Sequence, residues 1–458
     1  MNLSSFQRVH CLGLGGVGVS AIAKLLRHRQ TSVSGSELKL SEFTNDAAAV
    51  GVIVYPTETA ENISDDLNLV IYSDACPPTH PERVAATEKN IPQMNFSEVL
   101  GLFLAEARVG VAVAGTNGKS TTSALLGLIL AAAKKNPTVV VGSRVPGFSG
   151  NVRFGEAEYF VTEADDYRDH FLHLHPTCLV VTNVELDHVD YFPDLAAVKK
   201  SFAQLAQQTS PSGQLIVNRD DPASWELFGD DRRTITYSHV QSADLQATAV
   251  RQADGYQAID VSWRGQAIGT WELHLPGAFN VMNVLAAGAA ALALGVEPKV
   301  VAEVVATFRG IWRRFEILNS GAPVTIVNDY AHHPTAIAGT LTGAKALWPQ
   351  RRILAVFQPH HHNRLTNLFT DFARSFSAAD QAIISEVYAV AGREDHDPSE
   401  KTSRDLVAAI NDPQVIYGGN PAETETLIKK LAKPGDIVIL MSAGDLWEIG
   451  PRLATYYV

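Results

Sequence analysis

Residues 111–130, "VAVAGTNGKSTTSALLGLIL", constrain this chain most tightly. A run of small and β-branched residues reads as a buried strand. A longer apolar run after Lys119 reads as a helix. Between them Gly115, Thr116, Asn117 and Gly118 leave room only for a tight loop. A strand that feeds a helix in this way is half of a βαβ unit, which requires a parallel sheet covered by helices. The loop has a second property. Glycines allow a phosphate to approach the backbone, and the helix N-terminus offers unbonded N–H groups and the positive end of its dipole. Lys119 adds a mobile cation, and Ser120, followed by Thr121, adds a hydroxyl suited to Mg²⁺. The long Walker pattern is not met, because Val113 stands where its first glycine would be. The competing reading is an ordinary strand–turn–helix connection. G-K-S-T-T at such a junction favours a phosphate loop.

The same alternation extends along the whole chain and predicts three α/β blocks: 1–107, 108–318 and 319–458. In the first, strands are expected at 9–14, 31–37 and 69–75, with helices at 18–28 and 81–90. The second begins with strand 109–114 and continues with strands at 138–142, 158–163 and 178–182. Residues 234–275 alternate in the manner of antiparallel strands, and 279–295 read as a packed helix ending at Gly295. The third has strands at 324–328, 353–357, 382–385, 414–416 and 436–441. In the first block "GLGGVGVSAIA" places Gly13, Gly15, Gly16, Val17 and Gly18 between a strand and a helix. This is dinucleotide-fingerprint geometry, with Glu37 in the position of the acidic residue after the second strand. The geometry reads phosphates, so the diphosphate of a nucleotide-sugar fits it equally well, and a dehydrogenase remains a competing reading.

Composition excludes some functions. The formal net charge is −12 and no Lys/Arg cluster occurs, which argues against nucleic acid and anionic membrane as partners. The longest apolar stretches are too short to span a bilayer, and the first residues lack the features of a signal peptide. Cys11, Cys76 and Cys178 are few, odd in number and far apart, so reduced core thiols are expected. A cytoplasmic protein, monomer or homodimer, is predicted.

Further motifs follow in order: "TEADDYRDHFLHLHP", "VTNVELDHVDYF", "PGAFNVMNVLAA", "FRGIWRRFE", "NDYAHHP", "FQPHHHNRL" and "GDIVILMSAGDLW". Together with the phosphate loop, "VSGSE", "YSDACPPTHPE" and "NFSEVLG", this series resembles the Mur ligases over nearly the whole chain. The resemblance implies an N-terminal Rossmann-like UDP-sugar domain, a central P-loop ATPase-like domain with added antiparallel strands, and a C-terminal Rossmann-like domain. It implies an ATP- and Mg²⁺-dependent ligase that joins an amino acid, L-alanine foremost, to UDP-N-acetylmuramate through an acyl phosphate. The glycine loop of the first domain and Ser73 would then hold the UDP-sugar.

The remaining roles are likewise what the resemblance implies. Lys119 would bridge the β- and γ-phosphates, while Ser120, Glu163 and His188 would hold magnesium. Asn280 would meet adenine, Asp329 the ribose, and Arg314 the γ-phosphate, with Arg313 a surface neighbour. Tyr330, His332, His360 and Arg364 would surround the amino acid, Arg364 pairing its carboxylate, and His333 would be structural. The chain departs from the alanine-adding pattern at Asn117 and Ser120, at Asp166, Tyr167, Arg168 and His170, and at His361 and Thr366. A ligase for murein tripeptide and a non-catalytic nucleotide-sugar-binding regulator therefore stay open.

Overall fold

The computed structural model describes residues 2–253, 256–388 and 400–458. Apolar strands buried on both faces, as parallel sheets require, build its three sheets. In the first, β1 (Arg8–Leu12), β2 (Ser32–Ser36), β3 (Ile53–Tyr55), β4 (Leu69–Tyr72) and β5 (Gln93–Asn95) lie in the order β3-β2-β1-β4-β5. All pair in parallel. The chain reverses direction across the sheet at β1, so the glycine loop emerges at the switch point where α/β sheets bind ligands. Strands β3 and β5 were not anticipated. Each has only three residues, too few to show a period.

The second sheet contains β6 (Val109–Ala114), β7 (Pro137–Val140), β8 (Val152–Arg153), β9 (Glu156–Glu163), β10 (Cys178–Val181), β11 (Gln214–Asn218) and β12 (Thr234–Ser238). Their order is β12-β11-β10-β6-β9-β7-β8. β6 runs between β9 and β10, in parallel with both. The register sets Val113 beside Glu163 and Ala114 beside Val181. The phosphate loop therefore leaves β6 between the ends of its two neighbours. β12 corrects the antiparallel expectation for 234–275, since it pairs in parallel with β11. Alternation reports which face is buried, not strand direction. Farther on, β13 (Leu245–Ala253), β14 (Tyr256–Trp263) and β15 (Gln266–Leu273) follow, and β14 and β15 are antiparallel.

The third sheet holds β16 (Glu316–Ile317), β17 (Thr325–Asp329), β18 (Ile353–Phe357), β19 (Gln381–Ser385), β20 (Val415–Gly419) and β21 (Ile437–Met441), in the order β16-β17-β21-β18-β19-β20. Only β16 is antiparallel. Two apolar clusters cover its faces, one around Phe357 and Phe372, the other around Leu440 and Leu453.

By internal packing the chain divides into two compact units. One comprises the residues up to Val184, Lys199–Leu245 and Leu285–Val304. The other comprises Glu185–Val198, Gln246–Val284 and Val305–Val458. All three cysteines are buried and free. Burial pushes the thiols of Cys11 and Cys178 up to about 12. Among the described residues no helix is long and apolar enough to cross a membrane.

Candidate active site

The phosphate loop is braced from the neighbouring strand. Gly118 caps helix Lys119–Ala132 in the left-handed region (φ 88°), and Gly115 has φ 139°, backbone that favours glycine. A Cβ on Gly115 would overlap Thr182 Oγ1, just past β10. The Thr182 hydroxyl instead donates to Asn117 O (2.6 Å). Asn183 accepts from Asn117 N–H (3.0 Å) and donates to Asn117 O (3.1 Å). Thr182 and Asn183 lie in the "VTNVELDH" stretch, where no local pattern marks them as loop supports. Only the β6–β10 register reveals them.

Lys119 and Ser120 meet the acidic ends on the other side. Lys119 Nζ lies 2.5 Å from Gly115 O and 3.1 Å from Asp166 Oδ1. Burial acts to lower the lysine pKa, but Asp166, Asp165 and Glu163 outweigh it and raise the pKa above the ordinary value. The ammonium is therefore permanently charged. Ser120 Oγ donates to Glu163 Oε2 (3.0 Å), and the other carboxylate oxygen accepts from Gly142 N–H. A Cβ on Gly142 would come within 2.8 Å of that carboxylate. Asp166 is the counter-ion of the loop lysine.

His170 joins the first and second sheets. Its Nε2 bonds Asp74 (2.8 Å), and Asp165 lies 3.5 Å from Nδ1. Burial opposes protonation, yet the two carboxylates push the histidine up to about 9. A folded pKa above the unfolded value stabilises fully below the unfolded value of 6.5, and that contribution fades as pH rises through about 9. Thermal scans from pH 6.5 to 9 should therefore show wild type losing several degrees of Tm relative to His170→Gln. Parallel curves would refute the charged clamp.

In the N-terminal loop, Gly16 N–H bonds Gly13 O (3.0 Å), closing a tight turn. Gly15 N–H donates to Glu37 Oε2 (2.9 Å). A carboxylate thus occupies an amide that a phosphate could take. Ser73 Oγ would lie 3.3 Å from a Cβ on Gly13. Val17 and Gly18 begin helix Val17–His28. That helix is tied to the second sheet by buried Lys24, whose Nζ meets Asn151 Oδ1 (2.5 Å).

The second compact unit gathers the C-terminal candidates. Arg364 gives Nε and Nη2 to Asp187 Oδ1 (2.9 and 2.8 Å), with side-chain exposures of 10% and 7%. Burial would raise the Asp187 pKa, but Arg364 and neighbouring histidines hold it far below the usual carboxylate range. Arg364, expected to hold a substrate carboxylate, therefore already holds one from the chain. Its Nη1 lies 3.3 Å from His360 Nδ1. A guanidinium only donates, so this nitrogen accepts and Nε2 carries the proton in the neutral ring. His332 has the opposite polarity. Its Nδ1 lies 2.8 Å from Tyr330 O and must donate, leaving a lone pair on Nε2. Burial, then Arg364, lowers the His332 pKa well below the ordinary value, so the ring is neutral. The rings of His332 and His360 are 6.3 Å apart, and Tyr388 stacks on His360 at 5.6 Å. Nothing in the sequence marks Tyr388 out. His188, also in this unit, adopts φ 50°, and its N–H bonds Asp187 Oδ1 (2.7 Å). His333 caps helix Pro334–Leu347, accepting from Thr335 N–H (3.4 Å).

Two nucleotide candidates are turned inward. Asp329 accepts from the N–H groups of Phe315 (2.9 Å) and Ala331 (2.7 Å), and burial raises its pKa. Asn280 Nδ2 donates to Pro276 O (2.8 Å), and its oxygen accepts from Asn283 (3.3 Å). Arg314 lies over the Tyr330 ring at 4.5 Å. Arg313 corrects the expectation of a surface side chain, because it is only 7% exposed.

The chain is an ATP-dependent ligase and belongs to the Mur ligase family. Three family models match in order: Mur ligase family, catalytic domain (residues 8–108), Mur ligase middle domain (113–291) and Mur ligase, glutamate ligase domain (313–444). The chain is 36% identical to UDP-N-acetylmuramate–L-alanine ligase of Caldanaerobacter subterraneus, over 99% of this chain and 98% of that protein. It is 37% identical to the ligase of the same name from Salinibacter ruber, over 97% and 94%. Among solved structures, UDP-N-acetylmuramate-alanine ligase of Thermotoga maritima superposes with a TM-score of 0.83 at 26% identity, covering 98% and 99% of the two chains. A murein peptide ligase from Psychrobacter arcticus gives 0.73 at 25% identity, covering 98% of each.

Proposed function

We propose that this chain is the ATP-dependent ligase that joins L-alanine to UDP-N-acetylmuramate, a step in making peptidoglycan precursors. The observation that supports it best is near-complete coverage by relatives of that activity at 36% and 37% identity. A muramoyl carboxylate oxygen attacks the γ-phosphorus of ATP, the bond to the β-phosphate oxygen breaks, and ADP leaves. The amine then attacks the acyl carbon of the acyl phosphate. Inorganic phosphate leaves from the tetrahedral intermediate, and the amine nitrogen gives up one proton to solvent and keeps the other as the amide N–H.

Lys119 stabilises negative charge on the β- and γ-phosphates, while loop N–H groups and the helix dipole hold them in line. The donors near the loop fit a divalent cation, since the Ser120 hydroxyl and Glu163 carboxylate are hard oxygens 3.0 Å apart. Ser120, Glu163 and His188 are the residues that would hold Mg²⁺, which when bound neutralises phosphate charge. Arg314 reaches the γ-phosphate by forked donation, Asn280 the adenine and Asp329 the ribose. The glycine loop 13–18 and Ser73 bind the UDP-sugar. For the amino acid, the His332 Nε2 lone pair suits an amine N–H, while His360 and Arg364 suit its carboxylate. A cytoplasmic location is the reading that these nucleotide substrates support.

Phosphate release by purified protein with ATP, Mg²⁺ and UDP-N-acetylmuramate tests the reading. L-Alanine should raise release far above background, and murein tripeptide should not. Turnover with tripeptide alone would make the chain a recycling ligase. Absence of phosphate release with every amine tested would remove catalysis altogether.

A further inference from the structure

Arg313 has no role in the reaction as described, yet its guanidinium is enclosed by three aromatic rings and two backbone carbonyls. Its guanidinium carbon lies 4.9 Å from the centre of the Tyr330 ring, 5.1 Å from that of Trp447 and 5.4 Å from that of Trp312. The two indoles meet edge to face at 5.0 Å. Nη2 donates to Ser442 O (2.5 Å) and Gly444 O (3.4 Å), just past β21. The backbone is fixed as well. Arg313 O accepts from Tyr330 N–H (2.7 Å), and Arg313 N–H donates to Glu316 (3.0 Å). Arg313 and Phe315 both take left-handed φ values, 56° and 51°. Such conformations are costly for bulky residues and persist only where the surroundings enforce them.

The next residue is Arg314, and it shares the Tyr330 ring with Arg313. Two cations on one ring repel in a weakly screened setting. Carbonyls and indoles anchor Arg313 over the ring, and the buried Asp329 carboxylate attracts Arg314 on the same ring, so the placing of Tyr330 sets where Arg314 lies. We propose that Arg313 is a positioning residue. It clamps Tyr330 as a platform and holds Arg314 in readiness for the γ-phosphate. The inference rests on the γ-phosphate role given to Arg314 above.

ATP and ADP differ by the γ-phosphate, so the ratio of their affinities isolates this device from general folding. Calorimetry with Mg²⁺ on wild type, Arg314→Ala, Arg313→Gln and the double variant measures it. Wild type should prefer ATP, and Arg314→Ala should cut the preference on the order of tenfold, as expected for one charge-assisted contact. Arg313→Gln should lose most of the same preference, and the double variant no more than Arg314→Ala alone. A wild-type preference in Arg313→Gln, or further loss in the double variant, overturns the proposal. Should wild type show no preference, or Arg314→Ala keep it, the Arg314 assignment fails first and this inference with it. If Arg313→Gln binds neither nucleotide, Arg313→Lys replaces it. Loss of both nucleotides in that variant too would make Arg313 a folding residue and overturn the proposal.

Discussion

Lys119→Ala should lose about a thousandfold in kcat, because preorganised charge at a transferring phosphoryl group is worth about that much or more. The side chain also neutralises Asp166, whose side chain is only 2% exposed. Removing one partner of a buried pair strands the other, so Tm should fall by several degrees while far-UV circular dichroism stays that of the wild type. The double variant Lys119→Ala/Asp166→Asn separates the two effects. It should recover most of the lost Tm and none of the lost turnover. Recovery of turnover together with stability would show that the lysine serves the fold alone.

Asp187→Ala should strongly destabilise the second compact unit. Both charges are nearly enclosed, and losing one leaves Arg364 without a counter-ion, at a cost of about 3–5 kcal/mol. Equilibrium denaturation would read this directly. The variant should also raise KM for the amino acid by tenfold or more, since two of the three guanidinium nitrogens lose the carboxylate that orients them. Asp187→Asn, which keeps an acceptor, should fall between. A variant with normal stability and normal KM would mean that the pair forms no part of the amino-acid site.

Most of the sheet framework could be read from residues alone. Strands 109–114 and 353–357 coincide with the structure, because unbroken apolar runs between turn residues have few other ways to be buried. The tight strand–loop–helix junction at Gly115–Ser120 was legible for the same local reason, as its glycines, lysine and serine are adjacent in sequence. What escaped was non-local. Arg364 and Asp187 are 177 positions apart, so no spacing rule could pair them. Arg313 looked like surface because isolated arginines usually are. Its burial depends on Trp447 and on carbonyls about 130 residues later. The parallel pairing of β12 was missed because alternation carries no directional information.

The braces beneath the phosphate loop have a consequence for anyone redesigning it. Its shape is not written in Gly115–Ser120 alone, since Thr182 and Asn183 grip Asn117 from the end of β10. The hexapeptide is therefore not a portable cassette. Transplanting it into another scaffold, or importing a different loop here, succeeds only when the threonine–asparagine step travels with it.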